Sequence, residues 1–280
     1  MTVRIVCDTA CDLPQALADQ LGILLVPLHV RFGGTEMVDR EELSTKEFWA
    51  RCAQAEELPE TSAPAPGSFQ RAFETASAAG AEGIVCVSLS SRLSATNEAA
   101  AQAVRAFVGP PVAVVDSLSA TLGEGLVALA AAEAAAEGAG MAEVVSRAEA
   151  ARDRLFVFGA IDTLDNLRKG GRIGGAAAAL GALLSIKPVI EVRNGVVEQE
   201  SKQRTRARSR RYLADKVLGA GPLERLAVMG ADAPDFDHFV ASLGDARPAH
   251  PLLVGEIGPV IGTHAGPGAL GVAWVAASRN

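Results

Sequence analysis

Three short segments of this 280-residue chain carry imidazole and hydroxyl groups of the kind that bind anions. Residues 258–268 read Gly-Pro-Val-Ile-Gly-Thr-His-Ala-Gly-Pro-Gly, with His264 near the middle. Glycine lets a backbone approach a ligand closely and proline fixes φ, so we expect a rigid, turn-rich loop that presents His264. The alternative is a tight turn in which this histidine only bonds to neighbouring carbonyls.

The other two segments are rich in serine and threonine. Thr61 and Ser62 stand before two prolines and a predicted helix at 67–79, and residues 88–96 connect a predicted strand to a helix. Free backbone N–H groups at a helix start, together with hydroxyl donors, bind anions. The alternative is N-capping, but one cap needs a single hydroxyl. We favour binding because the second segment supplies several: Ser88, Ser90, Ser91, Ser94 and Thr96.

Other chemistries fit the sequence less well. Asp8 and Asp12 could be catalytic carboxylates, although we favour a role in capping the next helix or orienting nearby loops. The glycine-rich segment 170–175 lacks the Lys-Ser/Thr pair of a phosphate-binding P-loop. Neither a GxSxG elbow nor an HExxH motif occurs in the sequence. We therefore predict no catalytic residue, no metal and no cofactor.

The composition limits the partners of the chain. A net charge of -7 gives no general attraction for nucleic acid or an anionic membrane, so we expect peripheral membrane contact at most. Six basic residues between 202 and 211 are the exception, and their spacing would place several on one face of an extended strand. We interpret them as a solvated edge or a docking surface. Nucleic-acid binding stays open, although no aromatic residues are interleaved.

Four cysteines without metal-ligand spacing, and an N-terminal apolar run too short for a signal peptide, indicate a cytoplasmic protein. In the first half, short apolar runs alternate with helical segments, which indicates a parallel sheet with helices on both faces. The predicted strands are 4–7, 23–30, 83–88 and 112–116; the predicted helices are 14–21 (begun by Asp12), 44–55, 67–79, 94–107, 123–137 and 142–150.

The second half indicates a mixed sheet, because Asn194-Gly195 is a strong signal for an antiparallel hairpin. The predicted strands are 155–161, 187–192, 196–200, 226–229, 252–257 and 270–275, with an alanine-rich helix at 175–184 and another at 236–243. The charged residues 152–154 are the predicted boundary between an N-terminal α/β domain, 1–153, and a C-terminal α/β domain, 154–280.

Five segments, in order along nearly the whole chain, resemble the DegV family of bacterial fatty-acid-binding proteins, which includes the binding subunits of fatty acid kinase. They are Asp8-Thr9-Ala10-Cys11-Asp12-Leu13, Thr61-Ser62-Ala63-Pro64, residues 88–96, residues 167–173 and Thr263-His264-Ala265-Gly266-Pro267-Gly268. The sequence departs from the family pattern at Ala95, where glycine is usual, and at Asn97, where an aromatic residue is common.

The resemblance implies a two-domain α/β protein with a tunnel at the domain junction that buries a C14–C18 fatty acid. It implies that the ligand carboxylate is held around Thr61, Ser62, Ser94, Ala95, Thr96 and His264. It also implies a cytoplasmic fatty acid kinase as partner, with Arg172 on the surface that engages the kinase or the transferred phosphate. The chain would then be a carrier in lipid metabolism with no catalysis of its own. The alternative is a small-molecule enzyme that acts on a carboxylate or phosphate through Asp8, Ser94 or His264.

Overall fold

The N-terminal half contains a parallel sheet. The computed structural model describes residues 1–179 and 186–278. Its first elements are β1 (Val3–Asp8), α1 (Gln15–Leu21), β2 (Leu24–Val26), β3 (His29–Phe32), β4 (Thr35–Val38), α2 (Thr45–Cys52), β5 (Glu60–Ser62), α3 (Pro66–Ala78), β6 (Gly83–Ser88), α4 (Thr96–Ala106), β7 (Val112–Asp116), α5 (Thr121–Ala136) and α6 (Met141–Arg152). Four strands pair in parallel in the order β2-β1-β6-β7.

Both faces of this sheet are covered, as the continuous apolar runs predict. Phe69 and Phe73 of α3 pack with Ala100 of α4 against one face. The long apolar helix α5 and its neighbour α6 cover the other, where Leu126 and Val144 belong to the main core. Every residue of β6 is buried. The predicted parallel sheet with flanking helices is confirmed.

The C-terminal half contains a six-stranded mixed sheet, which confirms that prediction. Its elements are β8 (Leu155–Ala160), α7 (Asp165–Lys169), a 3₁₀ helix (Gly174–Ala179), β9 (Lys187–Arg193), β10 (Val196–Gln203), α8 (Arg206–Leu218), β11 (Leu223–Gly230), α9 (Phe236–Ser242), β12 (Leu253–Glu256), α10 (Pro259–Ala265) and β13 (Leu270–Ala276). The strand order is β10-β9-β8-β13-β11-β12. β13 runs antiparallel to β8 and β11, whereas β12 is parallel to β11. The domain boundary at 153/154 stays a prediction.

The β9–β10 hairpin joins the two halves. Asn194 and Gly195 have φ values of 49° and 80°, the left-handed conformations that a type I′ turn requires. The hydroxyl of Ser90 donates to the Gly195 carbonyl at 2.7 Å, and Arg92 Nη1 donates to the Asn194 carbonyl at 3.2 Å. The predicted hairpin is confirmed, and its tip binds the serine-rich segment of the N-terminal half.

The predicted strand at 23–30 is wrong, because the chain divides at Pro27. Proline has no N–H for a strand ladder, and the next N–H, that of Leu28, donates to Thr9 Oγ1 at 3.1 Å. β2 therefore stays in the parallel sheet, while β3 joins a separate sheet with the order β4-β3-β5. Thr61 and Ser62, which we expected in a loop, lie in β5.

The expectation of a basic extended strand is also wrong, because α8 begins at Arg206. Thr205 caps this helix by accepting from the N–H of Arg208 at 3.3 Å. Burial of Leu213 and Val217, spaced four residues apart, stabilises it. The alanine-rich segment is a 3₁₀ helix at Gly174–Ala179, and residues 180–184 of that prediction lie outside the described residues.

The C-terminal segment 258–268 is not a loop throughout, since residues Pro259–Ala265 form helix α10. Pro259 occupies its first turn, where a missing N–H costs nothing and the fixed φ suits a helix. In the part of the chain that the structure describes, no helix is long and apolar enough to cross a membrane.

Candidate functional site

An apolar cavity of about 190 Å³ lies between the two halves. It is lined by residues of five strands of the six-stranded sheet, by α10 and by segments of the N-terminal half. The side chains that line it are overwhelmingly aliphatic: Leu28, Leu89, Leu93, Val157, Phe158, Ile161, Leu167, Ile190, Val192, Val197, Met229, Ile257, Val260, Ile261 and Leu270. Such a surface fits the hydrocarbon part of a ligand.

Polar side chains gather at one part of the cavity wall. Thr61, Ser94, Arg172 and His264, which are far apart in the sequence, all line it. Thr61 Oγ1 lies 3.0 Å from His264 Nε2, so the two groups share a hydrogen bond across 203 residues. The structure thus brings together four of the residues that the sequence analysis singled out.

His264 is a neutral imidazole at physiological pH. Burial is the main cause that lowers its pKa to about 4, and the positive charge of Arg172 contributes to the same shift. Nδ1 is buried and has no hydrogen-bond partner within the described structure. A neutral ring that bonds to Thr61 through Nε2 can orient a hydroxyl toward an anion without adding a positive charge.

Arg172 supplies the positive charge of the site. Its Nε donates to the Leu93 carbonyl at 3.0 Å and its Nη1 to the Gly170 carbonyl at 2.7 Å. Both partners are uncharged, so no carboxylate of the described residues neutralises the guanidinium. This arrangement fixes the side chain beside His264 and leaves its charge available to an anion.

The serine-rich segment contributes fewer hydroxyls than its composition suggests. Ser94 Oγ lies 2.8 Å from Thr96 Oγ1 at the start of α4, and it lines the cavity. Thr96 is fully buried and is not part of the cavity wall. Ser88 accepts from Asn97 at 2.8 Å, and Ser90 donates to the hairpin tip, so both are structural.

Ala95 and Ser62 also line the cavity. Ala95 has φ -75°, a conformation open to any residue, so alanine in place of the expected glycine causes no backbone strain. The Ser62 hydroxyl donates to Glu36 Oε1 at 3.1 Å, which directs it to a carboxylate of β4.

A second, polar cleft of about 460 Å³ adjoins the apolar cavity. Thr61, Arg172 and His264 line both spaces and so form the partition between them. The rest of the cleft carries charged and polar groups, including Glu56, Glu57, Glu60, Asn166 and Lys169. A head group bound at the partition is therefore bordered by hydrocarbon on one side and by a polar cleft on the other.

Two residues that the sequence analysis did not single out hold His264 in place. Asn166 Nδ2 donates to the Thr263 carbonyl at 3.0 Å and ties α7 to the end of α10. Gly170 lies against the ring, since a Cβ there would stand 2.8 Å from His264 Cε1 and closer still to Nδ1. The glycine run at 170–175 was the available signal, and its role here is close packing.

The two N-terminal aspartates have structural partners. Asp8 Oδ1 accepts from the Ala10 N–H at 3.1 Å, and Oδ2 accepts from the Leu89 N–H at 2.8 Å, which confirms that it orients loops. Asp12 does not begin helix α1, whose N-cap is Pro14. Its Oδ1 instead accepts from the Gly258 N–H at 3.0 Å, next to α10.

The family model of the DegV proteins matches residues 2–277 of this chain. The chain belongs to the DegV family. A DegV domain-containing protein of Streptomyces coelicolor is 39% identical to it over 276 residues, 96% of this chain and 97% of that protein. The resemblance inferred from the five sequence segments is confirmed.

Solved structures of DegV proteins share the fold. A fatty-acid-binding DegV family protein from Thermus thermophilus is 33% identical, with a TM-score of 0.89 over 99% of this chain and 100% of that one. DegV from Bacillus subtilis, a fatty acid binding protein, is 30% identical with the same TM-score and the same coverage. These comparisons confirm the mixed α/β fold.

Proposed function

We propose that this DegV protein binds a long-chain fatty acid in the apolar cavity and presents its carboxylate to a fatty acid kinase in the cytoplasm. The observation that carries the proposal is the aliphatic cavity whose wall includes the polar side chains of Thr61, Ser94, Arg172 and His264. The fatty acid binding of the relatives from Thermus thermophilus and Bacillus subtilis supports it.

The energetics favour a hydrocarbon ligand. Burial of about 14 methylenes at ~0.8 kcal/mol each contributes roughly 11 kcal/mol before the cost of ordering the chain. Submicromolar affinity therefore needs no ion pair, since a Kd of about 1 μM corresponds to roughly 8 kcal/mol. The polar groups then serve mainly to place the carboxylate and reduce its desolvation cost.

The position of the polar wall supports transfer to a partner. Thr61, Arg172 and His264 border the polar cleft as well as the cavity. A carboxylate at this partition would be reachable from the cleft by a phosphoryl donor held on another protein. The charge of Arg172 would stabilise the acyl-phosphate that forms there.

The alternative of a small-molecule enzyme lacks a reacting pair. Ser94 bonds to Thr96 and His264 bonds to Thr61, so the described residues contain no hydrogen bond between a Ser94 nucleophile and a His264 base. Asp8 is fully buried and already accepts two backbone N–H groups.

Lipid extraction tests the binding part of the proposal. Organic extraction of the purified full-length chain, followed by mass spectrometry, is expected to release a C14–C18 fatty acid. Ser94→Ala should weaken palmitate binding, whereas Ser91→Ala, in an exposed serine of the same segment that does not line the cavity, should not. A chain that neither carries nor binds any fatty acid would refute the carrier function.

A phosphorylation assay tests whether the protein presents the carboxylate to a fatty acid kinase. With palmitate, ATP and a fatty acid kinase, Arg172→Ala should keep lipid binding and lose phosphorylation. Arg168→Ala, in an exposed arginine of α7, is the matched control and should leave both intact. Turnover of a carboxylate or phosphate substrate by the chain alone would replace the carrier function with the enzymatic alternative.

A further inference from the structure

Asp12 makes a long-range contact with the helix that carries His264. Asp12 is buried, with an exposed fraction of 5%, and it does not line the apolar cavity. Oδ1 accepts from the N–H of Gly258, 246 residues away, at 3.0 Å. Gly258 is the N-cap of α10, and this helix has no side-chain cap of its own. Asp12 therefore supplies the acceptor that the helix start lacks.

Both residues of the Asp12–Gly258 contact are closely constrained. A Cβ at position 258 would stand 2.6 Å from Asp12 Oδ1, so only glycine allows this approach. Asp12 itself has φ 52°, and Arg40 donates to carbonyls on either side of it, to Leu13 at 2.7 Å and to Thr9 at 3.3 Å. Polar groups of Asp39 and Thr121 also lie near the Asp12 carboxylate.

α10 transmits its position directly to His264. The helix has seven residues, so its length is about 10 Å at ~1.5 Å per residue, too short to bend appreciably. Its flank is fixed where Gly262 packs on Phe48 and Trp49, since a Cβ there would lie 2.9 and 2.8 Å from their rings. Asn166 fixes the other end through the Thr263 carbonyl. Because the helix is too short to bend, movement at Gly258 would tilt α10 about these two contacts and so displace the His264 ring.

We propose that Asp12 is a positioning residue that fixes the start of α10 and thereby aims the His264 ring at Thr61. The effect of Asp12 on ligand binding rests on the proposed fatty acid function. Its effect on the orientation of the His264 ring rests only on contacts within the chain. Asp12 acts through α10 and touches no ligand.

Two substitutions separate the acceptor from the backbone conformation. Asp12→Asn keeps an oxygen acceptor, and asparagine tolerates the left-handed conformation. Asp12→Gly also accepts that conformation but removes the acceptor. Glu124→Gln is the control for loss of a buried acid, because Glu124 is fully buried and its hydrogen-bond partner is Cys7.

The readouts are the ¹⁵N signals of the His264 ring in the ligand-free full-length chain, assigned with His264→Gln, and the affinity for palmitate. Asp12→Gly should shift the His264 signals and weaken palmitate binding about tenfold. Asp12→Asn and Glu124→Gln should leave both readouts close to wild type. If Asp12→Gly fails to fold, Gly258→Ala perturbs the same contact from the other side and should shift the same signals.

The two readouts separate a failure of the Asp12 proposal from a failure of the proposed fatty acid function. Unchanged His264 signals in Asp12→Gly, or in Gly258→Ala where that replaces it, overturn the positioning role even when the wild type binds palmitate. Signals shifted equally by Asp12→Asn also overturn it, because the acceptor is then not what matters. A wild type that binds no fatty acid refutes the proposed function, while the ring signals still decide the role of Asp12.

Discussion

Gly170→Ala tests the position of His264 by steric contact alone. Gly170 has φ -76°, so alanine fits the backbone without strain. The new Cβ would stand 2.8 Å from His264 Cε1, which is ~0.7 Å inside the ~3.5 Å lower limit of favourable carbon contacts. Overpacking of this kind costs about 1–3 kcal/mol. The ring must move away from Thr61, so palmitate affinity should fall as well.

A double-mutant cycle isolates this contact. Urea unfolding would be measured for the wild type, Gly170→Ala, His264→Ala and the double variant. In the His264→Ala background the alanine at 170 meets no ring and should cost less than ~0.5 kcal/mol. Gly34→Ala is the control, because no atom lies within 4 Å of a Cβ there and its φ is not positive. A neutral Gly170→Ala, or a cost that persists without the imidazole, would refute the described packing of the His264 ring.

Three further predictions concern the polar wall and the buried acids. Thr61→Val leaves His264 Nε2 without its hydrogen-bond partner, so it should lower the unfolding free energy by ~1 kcal/mol and weaken palmitate binding. The control Thr75→Val, on an exposed helix face, should leave palmitate binding unchanged. Arg172→Ala removes a positive charge and should raise the pKa of His264 above about 4 in an NMR titration, and an unchanged value would contradict the electrostatic account. Burial raises the pKa of Glu124, so the folded state holds a proton that the unfolded state releases above pH ~4.3. The unfolding free energy of the wild type should therefore fall as the pH rises from about 5 to about 8, and it should fall less steeply in Glu124→Gln. Parallel curves for the two proteins would count against this explanation.

Much of the fold could be predicted from local pattern. The run at Gly83–Ser88 is continuous and apolar, as expected of a strand that is covered on both faces. The β4-β3-β5 sheet could not be predicted, since β5 has only three residues, too few to show a strand pattern in the sequence. The alternate arginines predict a strand, whereas capping by Thr205 and burial of Leu213 and Val217 make this segment helix α8.

The sequence predicts which residues belong to the candidate site, but it does not predict the tertiary contacts that hold them in place. Thr61, Ser94, Arg172 and His264 line one cavity, although their binding of a carboxylate stays a prediction. Helix α10 has weak intrinsic helix propensity, with a glycine inside seven residues, and it is stabilised by packing on α2. Local patterns cannot reveal such tertiary support, nor the partner of Asp12.

The place of β13 in the C-terminal sheet affects how the protein is made. β13 lies between β8 and β11 and pairs with both, yet it follows both along the chain. During synthesis the edges of β8 and β11 therefore emerge before the strand that joins them. These strands contain the apolar runs Leu155–Ala160 and 226–230, and unpaired apolar strands readily pair with other chains. Until β13 inserts between them, the facing edges of β8 and β11 stay open to pairing with other chains.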